Sequence, residues 1–242
     1  MKHSFIELFK KLEIKNNEHL MIHADTSFFF QFPKQNNQEI IQNFIQSLIK
    51  FKKNLKIYIP TFTYTFCEKK KFDIIKTPSE VGKFSETCLK FNKFRRTMNP
   101  IFSFATFNFE REMELINNEI CFGKNSIFDY FQKKRGKIIV LGCSFEKSVT
   151  FIHHIEELKN VKYRFYKNFH GILKNYDGIN KKISIRYFVR KKKLNMRIKN
   201  KKLSSFYKSF DYGRHSVYCT ISSELQKKVL KKLNKDDNFL VR

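Results

Sequence analysis

KIIVLGCSFEKSVTFIHHIEE, residues 137–157, decides how the rest of the chain is read. Ile138–Leu141 is an unbroken apolar run, the pattern of a strand covered on both faces. Gly142 ends it, and Ser144, Glu146, Lys147 and Ser148 make a polar loop. Ser148 or Thr150 then caps a helix, because a hydroxyl accepts the orphan N–H groups of a first turn. His153 and Glu156 fall three apart on that helix and share a face. A strand end, a loop and a helix start bearing His and Glu is where an open α/β sheet places its chemistry. With Thr150 as cap, His153 lies in the first turn, where the helix dipole disfavours an imidazolium and leaves a ring able to accept a proton. Glu156 is placed to hold the other ring N–H. The same two residue types also make ordinary solvated helix faces, so residue types alone leave both readings open.

Working outward, Phe5–Ile14 reads as a helix capped by Ser4, and His19–Ala24 as a buried strand. A polar and aromatic loop follows from Asp25. Gln38–Phe51 carries apolar residues at helical spacing and is an amphipathic helix; Leu55–Ile59 is the next strand. A strand–helix–strand unit implies a parallel pair. Thr61–Lys76 is a long connection, Ser79 caps a helix carrying Phe84 and Glu86, and Ile101–Phe107 is strand-like. Helices are expected over Phe109–Asn117 and from Ser126 to Phe131. After Glu157, strands are expected at Lys162–Tyr166, Ile183–Val189 and Arg214–Ser222, with turns at Gly171 and Gly178 and a closing helix at Glu224–Leu233. No repeat or low-complexity linker divides the chain, so residues 1–242 are expected to form one domain.

The bulk numbers narrow the function. The 242 residues include 29 Phe, ample for a core, and no apolar window of membrane-spanning length. Cysteines 67, 88, 121, 143 and 219 are scattered without a C-x-x-C pair, which suits reduced thiols in the cytoplasm and argues against a disulfide frame or a zinc site. The net charge of +27 asks for an anionic partner. Of the 49 basic residues 39 are Lys, beside abundant Asn, Ile and Phe, so part of the charge is compositional. One dense basic run lies at Lys181–Lys202. No zinc-finger, basic-region or ribonucleoprotein motif accompanies it. A non-catalytic nucleic-acid-binding protein is therefore a rival reading, and a small anionic ligand with phosphates suits the charge as well.

Several stretches together resemble the aminoglycoside 3-N-acetyltransferase family, which transfers acetyl from acetyl-CoA to an amino sugar. They are LMIHAD (Leu20–Asp25), IPTFTYTF (Ile59–Phe66), TPSEVG (Thr77–Gly82), FSE (Phe84–Glu86), RRTMNPIFSFA (Arg95–Ala105), FGKNSIFDYF (Phe122–Phe131) and GKIIVLGCSFEKSVTFIHHIEE (Gly136–Glu157), in family order. The resemblance implies an α/β/α sandwich with a central mixed sheet, distinct from the commoner acetyltransferase fold that uses a β-bulge. It implies that His153 is the family's essential histidine, with Glu156 as its acid and Glu86 as a further acidic position. It implies that His23, Ala24 and Asp25, Arg96 and Thr97, and Thr150 lie at the coenzyme, with no metal. Asn99 stands where resistance enzymes often have His, and Asp25 where Ser is frequent.

On this basis the expected reaction is direct acetyl transfer, His153 removing the amine proton while N–H groups stabilise the thioester oxygen. A covalent route through Cys143, ten residues before His153, is the chemical alternative. Because a chain at +27 repels polycations, a nucleotide-linked or surface-glycan amino sugar is the favoured acceptor, an aminoglycoside antibiotic the alternative. A homodimer stays open.

Overall fold

The computed structural model describes residues 4–32, 36–108, 110–191 and 203–241. Residues 192–202 of the basic run Lys181–Lys202 thus lie outside the described residues, as does Phe109. In chain order the elements are α1 (Phe5–Lys11), β1 (His19–Ala24), a 3-10 turn (Thr26–Gln31), α2 (Asn37–Phe51), β2 (Lys56–Pro60), α3 (Phe66–Lys69), β3 (Lys71–Asp73), α4 (Lys83–Leu89), β4 (Arg95–Arg96), β5 (Phe104–Phe107) and a 3-10 turn (Arg111–Leu115). There follow α5 (Ile127–Lys133), β6 (Lys137–Leu141), α6 (Phe145–Ser148), α7 (Phe151–Lys159), β7 (Arg164–Lys174), β8 (Asn180–Arg190), a 3-10 turn (Ser204–Phe206), β9 (Lys208–Tyr212), β10 (His215–Ile221) and α8 (Ser222–Leu233).

Seven strands form a mixed sheet in the order β4-β5-β2-β1-β6-β10-β9. Strand β1 runs parallel to both β2 and β6, and β5 and β10 flank this trio antiparallel. The three central strands are mostly apolar, His19, His23, Lys56 and Lys137 excepted, because both faces are covered. Leu20, Ile22, Ile57, Ile59, Ile139 and Leu141 pack under α1, α2 and α4 through Phe9, Phe44 and Phe84. Met21, Tyr58, Ile138 and Val140 pack under α5, α7 and α8 through Phe131, Ile155 and Val229. The architecture is the expected α/β/α sandwich around a mixed sheet. From β1 the chain passes to β2 on one side and later to β6 on the other. The C-terminal end of β1 is therefore a topological switch point, where open sheets leave a crevice.

A second sheet, β3-β7-β8, lies beyond α7. Its 11-residue strands β7 and β8 form a hairpin far longer than the expected Lys162–Tyr166 and Ile183–Val189. Other expectations shift as well: Gly171, expected at a turn, lies inside β7 opposite Ile183, and the strand expected over Ile101–Phe107 starts at Phe104. The helix bearing Glu86 starts at Lys83 after Gly82, not at Ser79; the Ser79 N–H is instead bound by the Glu86 carboxylate, 2.8 Å away. The segment expected as a helix over Phe109–Asn117 tightens to the 3-10 turn Arg111–Leu115.

Candidate active site

A cavity of about 320 Å3 opens at the switch point, within the size range of small-molecule sites. Its walls are the ends of β1 (His23, Ala24, Asp25), of β2 (Pro60, Phe62) and the loop after β6 (Cys143, Lys147, Ser148, Thr150), closed by Tyr64 and by Gly82, Lys83 and Ser85 at the start of α4. The Asp25 N–H reaches across to the Leu141 carbonyl, 2.9 Å away, so the two strand ends are stitched together. The Asp25 carboxylate accepts from the Ser27 N–H at 2.8 Å and its hydroxyl at 2.6 Å, turning the chain away from the opening. Gly142 has φ +68°, and a Cβ there would stand 2.9 Å from that of Phe28. Glycine is thus required where β6 gives way to the loop.

His23 lies deep in this wall. Burial pulls its pKa down to about 4, so the ring is neutral, and its Nε2 is buried without a hydrogen-bond partner. Lys83 and Lys147 supply two cations with no ion-pair partner among the described residues. Thr150 precedes α7 with no side-chain bond to the helix, so its hydroxyl remains available to a ligand. Cys143 is half-buried, and burial pushes its thiol above the ordinary value. That removes the thiolate a covalent route needs.

One turn beyond Thr150, His153 Nδ1 lies 2.7 Å from Glu156 Oε2. Glu156 is fully buried, yet three groups hold it ionised: His153, the Arg164 guanidinium at 2.8 Å and the Tyr163 hydroxyl, which donates to Oε1 at 2.8 Å. Burial alone would raise this carboxyl; His153, Arg164 and Tyr163 bring it below the usual value. For His153 the balance is reversed. Burial and then the Arg164 charge lower its pKa, outweighing Glu156. The Arg164 nitrogen is also 2.7 Å from Nδ1. A guanidinium only donates, so a bare Nδ1 would set its lone pair against the carboxylate. In the tautomer that serves a base, Nδ1–H and Arg164 both donate to Oε2, and the two donors stand side by side. That leaves the Nε2 lone pair of a neutral ring as a proton acceptor.

The His153 side chain is 27% exposed. It does not itself line the cavity, but an aromatic wall joins the two. His153 meets the Phe122 ring at 5.8 Å, Phe122 meets Phe102 at 4.6 Å, and Phe102 meets Tyr64, a cavity residue, at 5.9 Å. The neighbouring His154 is wholly buried and accepts the Gly123 N–H at 3.1 Å, as suits a structural ring.

Not every residue read from sequence gathers here. Arg96 is 3% exposed and uses four of its five N–H donors internally, on Ser103 Oγ, Thr77 O, Thr61 O and Thr63 Oγ1. It braces the strand ends and is not presented to a coenzyme. Thr97 Oγ1 accepts the Phe104 N–H, and Arg96 and Thr97 border a separate cavity with Met98, Met113 and Tyr176. Glu86 binds the Ser79 N–H and, at 3.0 Å, Lys90, with no contact to His153 or Glu156; it shapes the α4 side of the cavity from behind. Sequence reasoning missed Tyr163, Arg164, Lys83 and Lys147. Two lysines among 39 carry no mark, and Arg164 sits on a strand whose next four residues are exposed. Among the described residues no cluster of three or more His, Cys, Asp or Glu side chains could hold a metal, and no helix is long and apolar enough to cross a membrane.

Comparison with known proteins agrees with this fold. Among solved structures, AAC-IIIb in its binary complex with coenzyme A superposes with a TM-score of 0.76 at 15% identity, over 96% of this chain and 95% of that one. Sisomicin-bound AAC-VIa gives 0.77 at 13% identity, over 97% and 99%. The YokD protein of Bacillus subtilis gives 0.75 at 14% identity, over 97% and 93%. At such identities the likeness establishes the fold. No curated protein sequence matches significantly. The profile of the aminoglycoside 3-N-acetyltransferase family matches residues 21–218, and the chain belongs to that family of N-acetyltransferases.

Proposed function

We propose that this N-acetyltransferase moves an acetyl group from acetyl-CoA to an amino group of an aminoglycoside, with His153 as general base. The observation that carries the reading is the His153–Glu156–Arg164 cluster, in which a buried carboxylate and guanidinium hold a partly exposed, neutral imidazole that an aromatic wall joins to the switch-point cavity. In this reading the cavity takes the coenzyme. Lys83 and Lys147 meet its phosphates, in place of the Arg96 and Thr97 expected from sequence. Ala24, Asp25 and Thr150 border the thioester arm. The amine binds at the His153 side, loses its proton to Nε2 and attacks the thioester carbon; the coenzyme leaves as a thiol, and no covalent enzyme intermediate is required. Nucleotide-linked and surface-glycan sugars draw no support from the comparisons, whereas AAC-VIa binds sisomicin and AAC-IIIb binds coenzyme A. A cytoplasmic location, where acetyl-CoA and reduced thiols occur together, belongs to the same reading.

The test is calorimetry with acetyl-CoA followed by thiol release with sisomicin. Saturable coenzyme binding and acceptor-dependent thiol release are expected. Coenzyme binding without turnover of any amine would overturn the catalytic reading, and no coenzyme binding would overturn both halves.

A further inference from the structure

The hairpin that covers α7 sets two arginines directly opposite each other. Arg164 and Arg190 are Cα partners in the antiparallel register of β7 and β8. Like charges so placed weaken a strand pair, so stability does not account for them. Arg164 has its counter-ion in Glu156. Arg190 is exposed, and its side chain has no ion pair or hydrogen bond among the described residues. Alternation along β8 puts Arg186, Phe188 and Arg190 on one face. That face looks onto α7, since Arg186 lies 3.8 Å from Glu157 and the opposing Arg164 reaches His153. After burial and Arg164, the Arg190 charge also disfavours a cation on the His153 ring.

Composition sharpens the point. The chain has 10 Arg against 39 Lys, and three of the ten gather on this face. A protein that defaults to lysine has used the residue whose planar fork matches phosphate and carboxylate. Nor does the acid that Arg186 faces cancel the field: Glu157 is buried to 7% exposure, and burial raises its pKa to about 7.

We propose that Arg190 is an anion subsite beside the His153–Glu156 pair, binding a phosphate or carboxylate group on an amino sugar. Anion-bearing amino sugars are then acceptors in addition to aminoglycosides. The catalytic half of this statement rests on the function proposed above; the binding half does not.

The experiment is calorimetry with glucosamine 6-phosphate and with glucosamine, on the full chain in saturating coenzyme A. The wild type is expected to bind the phosphorylated sugar at least tenfold more tightly. Arg190→Gln should abolish the difference and Arg190→Lys retain part of it, with melting temperatures unchanged because Arg190 is exposed. Lys231→Gln, on the exposed side of α8, controls for the overall charge and should keep the full preference. No preference in the wild type, a preference surviving in Arg190→Gln, or an equal loss in Lys231→Gln would each overturn the subsite. Thiol release by the wild type with glucosamine 6-phosphate reads the catalytic half. A preference in binding with no turnover of either sugar or of sisomicin would overturn the acetyltransferase mechanism and leave the subsite standing.

Discussion

His153 and Arg164 both reach the Oε2 atom of Glu156, at 2.7 and 2.8 Å. Each affects the other two. Arg164 keeps the buried carboxylate charged, the carboxylate fixes the imidazole tautomer, and the guanidinium opposes a second charge on the ring. Facing His153 are Glu156 on its own helix, Arg164 on β7 and Arg190 on β8. Removing the Arg164 charge lets an imidazolium–carboxylate pair form more readily, so the folded pKa of His153 rises. The base is then protonated at a higher pH. In Arg164→Met the acid limb of kcat/KM should move up by about one pH unit, about 1.4 kcal/mol, and Arg164→Lys should recover part of the shift. An unmoved limb in both variants would show that Arg164 only packs. His153 and Glu156 were legible because a three-residue spacing on a helix is a local property. Arg164 was not, since its role depends on a strand folding back across α7. Arg96 was misread for the converse reason: nothing local reveals that Thr61, Thr63, Thr77 and Ser103 would surround it.

At the scale of elements, the connection between β4 and β5 depends on Asn99. Its carbonyl oxygen accepts the Ile101 and Phe102 N–H groups at 3.0 and 2.8 Å, and its amide donates to the Asn118 and Ile120 carbonyls at 2.9 and 3.0 Å. One side chain therefore ties the β4–β5 connection to the segment that leads into α5. Asn99→Ala leaves buried backbone groups unpaired and should cost about 2–4 kcal/mol in denaturant unfolding. A cost below about 0.5 kcal/mol would mean that water replaces the side chain. The parallel trio β1, β2 and β6 was readable in advance, because predominantly apolar runs, unbroken over Ile138–Leu141, mark strands covered on both sides. Strand β3 was not. Its partner β7 lies about a hundred residues further on, with Lys71 opposite Ile172, and the segment Lys71–Asp73 shows no pattern of its own.

Across the whole molecule, three buried histidines set the acid stability. His19, His23 and His154 all have pKa values lowered to about 4, in each case first by burial. The unfolded chain protonates them near 6.5, so stability present above that pH is lost as pH falls from about 6.5 towards 4. Glu157, raised to about 7, works in the opposite direction over the same range, one group against these three and His153, whose pKa is also lowered. Tm should therefore fall between pH 7 and pH 4.5, by about ten degrees for a loss of several kcal/mol. A flat Tm over that range would contradict the burial of these rings. The charge of +27 was plain in the sequence, but only the fold shows that arginines gather beside His153. The most direct test of the account as a whole is single-turnover thiol release from acetyl-CoA with sisomicin, wild type against His153→Gln. The account predicts a rate at least a hundredfold lower with coenzyme affinity and Tm preserved; turnover within a few-fold of the wild type would contradict it.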